Sequence, residues 1–271
     1  MPPACPEGRA SAAILRILSV QRRESVFFVG LPGVYNESVF IPDASIPMTN
    51  NTFSLLFLGK TDDPDCVRAL KFCQGTFAPV TYCLGKWGDP LPENVRDWEG
   101  DYIVSYLSRW VIPDALLKRA HKAAINFHPA SPEYPGIGCT NFALYENATE
   151  YGTTCHHMAP KVDTGRIIAV RRFPIYPEDD VAALLRRTYE NQIALFFEIA
   201  QLMAEGKELP VSKETWTRPP FTRKEFNELF QITPEQSKEE IARRIRAVSY
   251  GGFQPYVELE GYRFEYKPAS K

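Results

Sequence analysis

The chain has 271 residues, of which 44% are hydrophobic and 24% are charged. This composition is ordinary for a globular protein and excludes a disordered chain, a collagen-like chain and a disulfide-rich mini-protein. The 31 basic and 33 acidic residues give a net charge of −2, whereas a protein that chiefly grips duplex nucleic acid is usually basic. No apolar run approaches the roughly 20 residues that cross a bilayer, so we expect no membrane segment.

Residues 1–50 do not look like the start of an enzyme domain. Their apolar stretch, 10–20, is followed by Arg22 and Arg23, which reverses the order found in a secretory signal. Pro42 and Pro47 then break the chain. Two interpretations stay open: a dispensable extension or misplaced start, or a strand that pads the edge of the sheet.

From residue 53 onward, strand and helix patterns alternate. Asp63 and Pro64 predict a helix start, with apolar positions at helical spacing up to Cys73. Pro113 begins a second predicted helix, which ends near residue 122. Alternation of this kind predicts an α/β fold with a parallel, doubly wound sheet, whose active site lies beyond the carboxyl ends of the strands. The apolar runs that predict the first four strands are 53–58, 80–84, 102–106 and 123–127.

Two more strands and a helix-rich tail follow. A long amphipathic helix is predicted over 177–205, and a hairpin turns at Glu260 and Gly261. We therefore expect an extension of unknown role at 1–50, a catalytic domain at 51–210, and a C-terminal region at 211–271 available for dimerisation. The remaining predicted elements are strands at 152–158 and 166–175, a short helix at 222–231, and a helix at 235–248 capped at Thr233.

The six cysteines are scattered, at positions 5, 66, 73, 83, 139 and 155. They form no Cys-x-x-Cys pair, and none has zinc-ligand spacing. Cys66 and Cys73 lie seven residues apart on a predicted helix, which is typical of small buried hydrophobes. We therefore expect reduced core thiols in a cytoplasmic protein.

Polar side chains cluster where the predicted strands end. Asn126 and His128 alternate around Phe127 and therefore point the same way, while Asp163 lies on a tight loop. An amide can donate to an oxyanion, an imidazole can move a proton, and a carboxylate can orient that imidazole, which together suit acyl transfer. Spacing alone leaves a plainer interpretation open, in which Asn126 satisfies a strand end and His128 caps a turn. A metal site made of His128, His156 and Asp163 is a further alternative.

Three segments resemble the formyltransferase family that uses 10-formyltetrahydrofolate. They are Asn126-Phe-His-Pro129, Gly152-Thr-Thr-Cys-His156 and Val162-Asp-Thr-Gly165, and the resemblance extends from about residue 53 to 267. It implies a mostly parallel, doubly wound, Rossmann-like sheet with a small C-terminal helix and β-hairpin region. It implies no metal ion, and N10-formyltetrahydrofolate as the formyl donor.

The resemblance also implies roles for three catalytic residues. Asn126 would bond the formyl oxygen and the oxyanion that it becomes. His128 would help to stabilise that oxyanion and would take part in proton transfer. Asp163 would pair with His128 and assist deprotonation of the incoming amine.

Binding residues follow from the same resemblance. The segment 105–113 is similar to the family's folate-binding loop, and Pro135 stands where the family commonly has Arg, so the acceptor is expected to differ. Tyr134, Trp87 and Trp98 are aromatic candidates for stacking on a base. The implied cofactor-binding residues are Ser105, Tyr106, Leu107, Arg109, Trp110, Val111, Ile112 and Val162, and the implied substrate-binding residues are Tyr134, Gly136 and His156.

Within the family, the chain looks most like the sugar N-formyltransferases. Its tail is too short for the complete tRNA-binding barrel of methionyl-tRNA formyltransferases, and its first strand lacks the Gly-Ser-Asn turn of glycinamide ribonucleotide formyltransferases. Sugar N-formyltransferases act on a nucleotide-linked 4-amino-4,6-dideoxy sugar, such as a dTDP- or GDP-linked one, for surface polysaccharides, and often dimerise through a tail hairpin. Two alternatives stay open: another amine, such as methionyl-tRNA or a small metabolite, and an inactive folate- or nucleotide-binding domain.

Overall fold

The computed structural model describes residues 53–267. The expectations for residues 1–50 and for Cys5 therefore lie outside the described residues. The other five cysteines are free, and four of them are buried. Within residues 53–267, none of the helices combines the length and the apolar character needed to cross a bilayer.

Within residues 53–267, nine strands form two sheets. They are β1 (Leu55–Lys60), β2 (Val80–Gly85), β3 (Gly100–Tyr106), β4 (Ala120–His128), β5 (Glu150–His157), β6 (Ile167–Pro174), β7 (Gln231–Ile232), β8 (Tyr256–Leu259) and β9 (Tyr262–Glu265). The main sheet has the order β2-β1-β3-β4-β5-β6, and the small sheet has the order β7-β8-β9. β1 to β4 pair in parallel, whereas β5 is antiparallel to both β4 and β6. The predicted mostly parallel α/β sheet is thereby confirmed.

Seven helices accompany the strands in this described part of the chain. They are α1 (Pro64–Thr76), α2 (Glu93–Arg96), α3 (Asp114–Leu117), α4 (Cys139–Tyr145), α5 (Val181–Ala204), α6 (Arg223–Glu228) and α7 (Lys238–Val248). As predicted, Asp63 caps α1, because its side chain accepts a hydrogen bond from the Cys66 amide at 3.0 Å. Asp180 caps α5 in the same manner through the Ala183 amide, at 2.8 Å.

The main sheet buries apolar side chains on both faces. On one face, α1 and α5 pack against the sheet, where Phe196 of α5 contacts the rings of Tyr106 and Phe127. On the other face, a smaller cluster joins Leu56 of β1 to Leu116 of α3. Each fully buried side chain of this size contributes about 1.5–3 kcal/mol, so the side chains that α5 buries here stabilise its packing on the sheet.

Two local predictions are wrong, and the elements α2, α4 and β7 were not predicted. The helix predicted from Pro113 to about residue 122 ends at Leu117, because β4 already begins at Ala120, whose register partner on β3 is Gly100. His121 accordingly lies at the start of β4 rather than on a helix end. The cap of α7 is Ser237, which accepts from the Glu240 amide, rather than Thr233. The unpredicted helix α4 is a short one of seven residues.

A segment without regular structure, 207–222, runs from α5 to α6; we call it the crossing segment. Its backbone amides at Ser212, Thr217 and Phe221 donate to carbonyls of the main domain, at 2.9 to 3.3 Å. Phe221 and Ala247, from the C-terminal region, also belong to one buried apolar cluster with α4. Hydrogen bonds and apolar contacts therefore join residues on both sides of position 210, where the sequence predicts a domain boundary.

Candidate active site

A cavity of about 740 Å³ opens at the carboxyl ends of β3 and β4, the edge predicted for an active site in a doubly wound sheet. Asn126 and His128 both line it, as their alternation along β4 predicts. Two buried side chains hold this end of β4. The Thr153 hydroxyl donates to the His128 carbonyl at 2.9 Å, and the Gln192 amide donates to the Phe127 carbonyl at 2.7 Å.

Asp163 lies beyond β5, with its carboxylate buried between two imidazoles. One oxygen is 3.4 Å from Nδ1 of His128, and the other is 3.3 Å from Nε2 of His156. The Gly136 amide also donates to the carboxylate, at 2.8 Å. Burial by itself raises the pKa of Asp163, but His128, His156 and the Gly136 amide outweigh it and lower the pKa to about 2. Asp163 is therefore a carboxylate at neutral pH.

The backbone of Asp163 is left-handed, with φ of 47°. A residue with a Cβ adopts this conformation at a cost, and such residues often occur at functional sites. Gly136, which donates to Asp163, is also at positive φ, 93°, and a Cβ there would lie 2.5 Å from the Phe221 carbonyl oxygen. The sequence therefore needs glycine at 136 for the loop to approach both Asp163 and the crossing segment.

Each imidazole of this cluster has an oxygen near both ring nitrogens. Nε2 of His128 is 3.0 Å from the Tyr134 carbonyl, and Nδ1 of His156 is 2.8 Å from the His157 carbonyl. Nε2 of His156 is also 3.1 Å from Nδ2 of Asn126, which donates to it when that nitrogen is unprotonated. His156 thus connects Asn126 to Asp163, a place that its assignment as a substrate-binding residue did not anticipate.

Cys139 is the thiol nearest to this cluster. Its sulfur donates to the Gly136 carbonyl at 3.3 Å and lies 3.8 Å from Nε2 of His128. Burial, and then the charge of Asp163, raise the pKa of this thiol. Cys139 is therefore neutral rather than a thiolate nucleophile. The geometry suits a reaction whose nucleophile is brought by the substrate.

Most of the predicted folate-binding residues reach the cavity. Trp110 is fixed there by a hydrogen bond from its indole N–H to the Asp89 carbonyl at 2.9 Å, and Leu107 has a left-handed backbone, with φ of 53°. The ring of Tyr106 does not reach the cavity: it packs in the core against Phe127 and Phe196, because strand residues alternate between faces. The predicted residues that line the cavity are Ser105, Leu107, Arg109, Trp110, Val111, Ile112 and Val162.

Of the residues predicted to bind the acceptor substrate, some reach the cavity and one does not. Gly136 and His156 line the cavity. The side chain of Tyr134 does not, because it is buried beside the rings of Tyr151 and Phe221, and only its carbonyl reaches His128. Of the other two stacking candidates, Trp98 packs in the core with α3, whereas Trp87 lies at the cavity and is exposed.

Sequence reasoning missed several residues of the site. Leu185 and Tyr189, on α5, line the cavity beside Asn141 of α4. The centroid of the Trp216 ring, in the crossing segment, lies 5.0 Å from the ring centroid of His156 and 5.8 Å from that of His128. The amphipathic pattern over 177–205 did not reveal the α5 residues, because apolar residues at the same helical spacing also form a buried core face. No local motif accompanies Trp216.

The likeness to known proteins rests on the same part of the chain. Residues 89–199 match a family described as Formyl transferase. The chain contains a formyl transferase domain. The match spans Asn126, His128, His156 and Asp163, and it confirms the family predicted from the three motifs. In residues 53–267, no cluster of three or more His, Cys, Asp or Glu side chains is arranged to hold a metal ion.

Sequence relatives of the formyl transferase domain include a methionyl-tRNA formyltransferase from Enterococcus faecalis. It is 28% identical over 158 residues, which are 57% of this chain and 50% of the relative. A second, from Listeria innocua, is 27% identical over 158 residues and is again covered over 50% of its length. The chain therefore spans about half the length of these curated relatives.

Solved structures resemble the formyl transferase domain and its C-terminal region together. A 4-N formyltransferase from Francisella tularensis has a TM-score of 0.67 at 15% identity, covering 82% of this chain and 99% of that one. An N-formyltransferase from Helicobacter canadensis, in complex with folinic acid and dTDP-3-aminofucose, has a TM-score of 0.60 at 18% identity, covering 78% and 85%. These likenesses establish the shared fold.

Proposed function

We propose that this protein is an N-formyltransferase that moves a formyl group from N10-formyltetrahydrofolate to an amine. The observation that carries the proposal is the buried carboxylate of Asp163, held between His128 and His156 at the end of a cavity that Asn126 also lines. An ionised carboxylate, an imidazole and an amide together suit acyl transfer to an amine.

In the proposed reaction, the amine nitrogen attacks the formyl carbon and a new C–N bond forms. Asn126 donates a hydrogen bond to the formyl oxygen as it gains negative charge, and His128 helps to stabilise that charge. Asp163 accepts the proton that the nitrogen loses, with His128 assisting the transfer. The bond between the formyl carbon and N10 then breaks, N10 takes up a proton, and tetrahydrofolate leaves. No metal ion is needed in this sequence of steps.

The proposed folate site is the side of the cavity formed by the loop after β3. Leu107, Trp110, Val111 and Ile112 give it an apolar wall, suited to flat rings. Val111 is 70% exposed, so an incoming ring system would bury apolar surface that is now in contact with water. Support for folate also comes from the similar Helicobacter canadensis structure, which holds folinic acid.

As acceptor we propose the amino group of a nucleotide-linked amino sugar, such as a dTDP- or GDP-linked 4-amino-4,6-dideoxyhexose. The modified sugar would serve surface polysaccharide, lipopolysaccharide or O-antigen synthesis. This choice is supported by the solved structures, one of which holds dTDP-3-aminofucose. Methionyl-tRNA is the second candidate, favoured by the sequence relatives. An inactive binding domain is the weakest alternative, because mere binding has no need of Asn126, His128 and Asp163 together.

We also propose that the enzyme is a cytoplasmic homodimer. Paired residues of a hairpin share one face of its two strands. Leu259, Tyr262 and Phe264 lie on one face of the β8–β9 hairpin and are 50%, 71% and 58% exposed. The opposite face carries Glu258 and Arg263. An exposed apolar face of this kind is typical of an interaction surface.

An activity screen tests the proposed function. The purified protein is mixed with 10-formyltetrahydrofolate and a panel of nucleotide-linked amino sugars, with methionyl-tRNA as a separate sample. Mass spectrometry detects the addition of one formyl group, and absorbance follows the release of tetrahydrofolate. One formylated sugar supports the full proposal, and formylated methionyl-tRNA supports the second candidate. If no acceptor is formylated and the protein does not bind folate, both candidate functions are overturned.

A further inference from the structure

Trp216 is the one aromatic residue described that touches both imidazoles of the cluster. Its ring meets those of His156 and His128 edge-on, with centroids 5.0 and 5.8 Å apart. Its indole N–H donates to the Gly165 carbonyl at 2.8 Å. These contacts come from the crossing segment, more than fifty positions away in sequence from Asp163, and no motif assigns a role to this residue.

The loop that Trp216 contacts is the one that carries Asp163. Asp163 holds a left-handed backbone, which costs on the order of 1 kcal/mol or more and persists only where surrounding contacts enforce it. Gly165, two residues on, is packed so closely that a Cβ there would lie 1.7 Å from the His157 carbonyl oxygen. The end of β5 therefore packs directly against this loop, and the hydrogen bond from Trp216 to the Gly165 carbonyl holds the same loop.

The crossing segment is anchored on both sides of Trp216. Before it, the Ser212 amide donates to the Ile167 carbonyl at 3.1 Å, just beyond the Asp163 loop. After it, the Phe221 amide donates to the Pro135 carbonyl at 2.9 Å, next to Gly136. The segment thus joins the loop that carries Asp163 to the loop whose Gly136 amide binds the Asp163 carboxylate.

We propose that Trp216 is a positioning residue for formyl transfer, which keeps Asp163 in register with His128 and His156 and keeps water from that side of the cluster. Charged hydrogen bonds are stronger where water is excluded, so an indole wall strengthens the interactions between the carboxylate and the imidazoles. The proposal rests on the proposed function, because the cluster that Trp216 supports is the one assigned to catalysis there.

Three variants test the role of Trp216. Trp216→Phe keeps an aromatic wall but removes the N–H, and Trp216→Ala removes both. Trp98→Phe is the matched control, because Trp98 packs in the core beside α3, away from the cluster. Steady-state kinetics would give kcat and the KM for 10-formyltetrahydrofolate, and thermal melting would monitor the fold.

We expect a loss that is confined to turnover. Since small displacements of catalytic groups cost up to about a hundredfold, kcat should fall about tenfold in Trp216→Phe and about a hundredfold in Trp216→Ala. The KM for folate should stay within about twofold, because Trp216 does not line the cavity. Trp98→Phe should keep the wild-type kcat. A kcat of Trp216→Ala within about twofold of wild type would overturn the proposal.

A readout independent of activity separates this proposal from the proposed function. The Gly136 amide donates to the Asp163 carboxylate, so its hydrogen exchange reports whether Asp163 is in place. We expect exchange at Gly136 to accelerate at least about tenfold in Trp216→Ala, and to stay unchanged in Trp98→Phe. If the wild type formylates no acceptor, the proposed function fails. If hydrogen exchange at Gly136 is unchanged in Trp216→Ala, the positioning role of Trp216 fails, whatever the outcome of the activity screen.

Discussion

The electrostatic character of the site comes from a single carboxylate. Asp163 is buried, yet its pKa lies near 2, because two imidazoles and one backbone amide stabilise its charge. Asp163→Asn keeps the shape of the side chain and removes the charge, while His128→Ala removes the imidazole that lines the cavity. For both, we expect kcat/KM for formyl transfer to fall by about two to four orders of magnitude.

The control for these variants is His121→Ala. His121 is an exposed histidine, 3.0 Å from Glu99 and outside the cavity, and its replacement should leave kcat/KM unchanged. Circular dichroism and thermal melting would verify that all three variants fold. Near wild-type turnover in both Asp163→Asn and His128→Ala would refute the assignment of the catalytic cluster.

The lowered pKa of Asp163 also predicts how stability depends on pH. Because the carboxyl has a pKa near 2 when folded and about 4 when unfolded, the ionised form stabilises the fold above pH 4. That stabilisation, about 2 kcal/mol, is lost as the pH falls from about 4 to 2. Urea unfolding of wild type and Asp163→Asn across this window should show a shallower decline for the variant. Parallel curves would contradict the pKa assignment.

At the scale of elements, α5 does more than cover the sheet. Gln192, fully buried on this helix, donates to the carbonyl of Phe127, between the two proposed catalytic residues of β4. Gln192→Met should lower the free energy of unfolding by about 1–3 kcal/mol, since the Phe127 carbonyl loses its partner. Chemical denaturation would measure the change. Gln201 is exposed on the same helix, so the control variant Gln201→Met should leave the free energy of unfolding unchanged. An equal loss of stability in both variants would contradict the role given to Gln192.

The elements that could be predicted from sequence are those with a strong local pattern. β1, β3 and β4 are apolar runs, and the polar residues at the end of β4 alternate as a strand requires. Helix α3 was predicted too long because residues after Leu117 have helical character, but pairing of Ala120 with Gly100 draws them into β4. Helix α4 was missed because it is short and begins after Gly138, at φ of 71°.

The candidate site was predictable to a similar degree. The structure brings the motif segments together around one cavity, but a resemblance assigns a segment and not the direction of each side chain. Tyr106 and Tyr134 were therefore counted as ligand-binding although both rings are buried. Trp216 could not be found from sequence, since only the fold brings the crossing segment to His128 and His156.

At the scale of the whole molecule, the proposed dimer makes a prediction that separates assembly from chemistry. The exposed apolar face of the β8–β9 hairpin is formed by Leu259, Tyr262 and Phe264. Phe264→Lys would put a charge in the centre of a buried interface, which costs far more than the same charge in water. Sedimentation velocity should therefore show the wild type as a dimer and Phe264→Lys as a monomer.

The same hairpin supplies the matched control. Glu258→Lys changes a charge on the opposite face of β8, so it should leave the dimer intact. The cavity is lined by residues from the main sheet, its loops, α3, α4 and α5, and none of the described lining residues belongs to the hairpin. Monomeric Phe264→Lys should thus keep kcat within about twofold of wild type. Dissociation of both variants would point to general charge repulsion, dissociation of neither would place the interface elsewhere, and a monomeric wild type would overturn the proposed dimer.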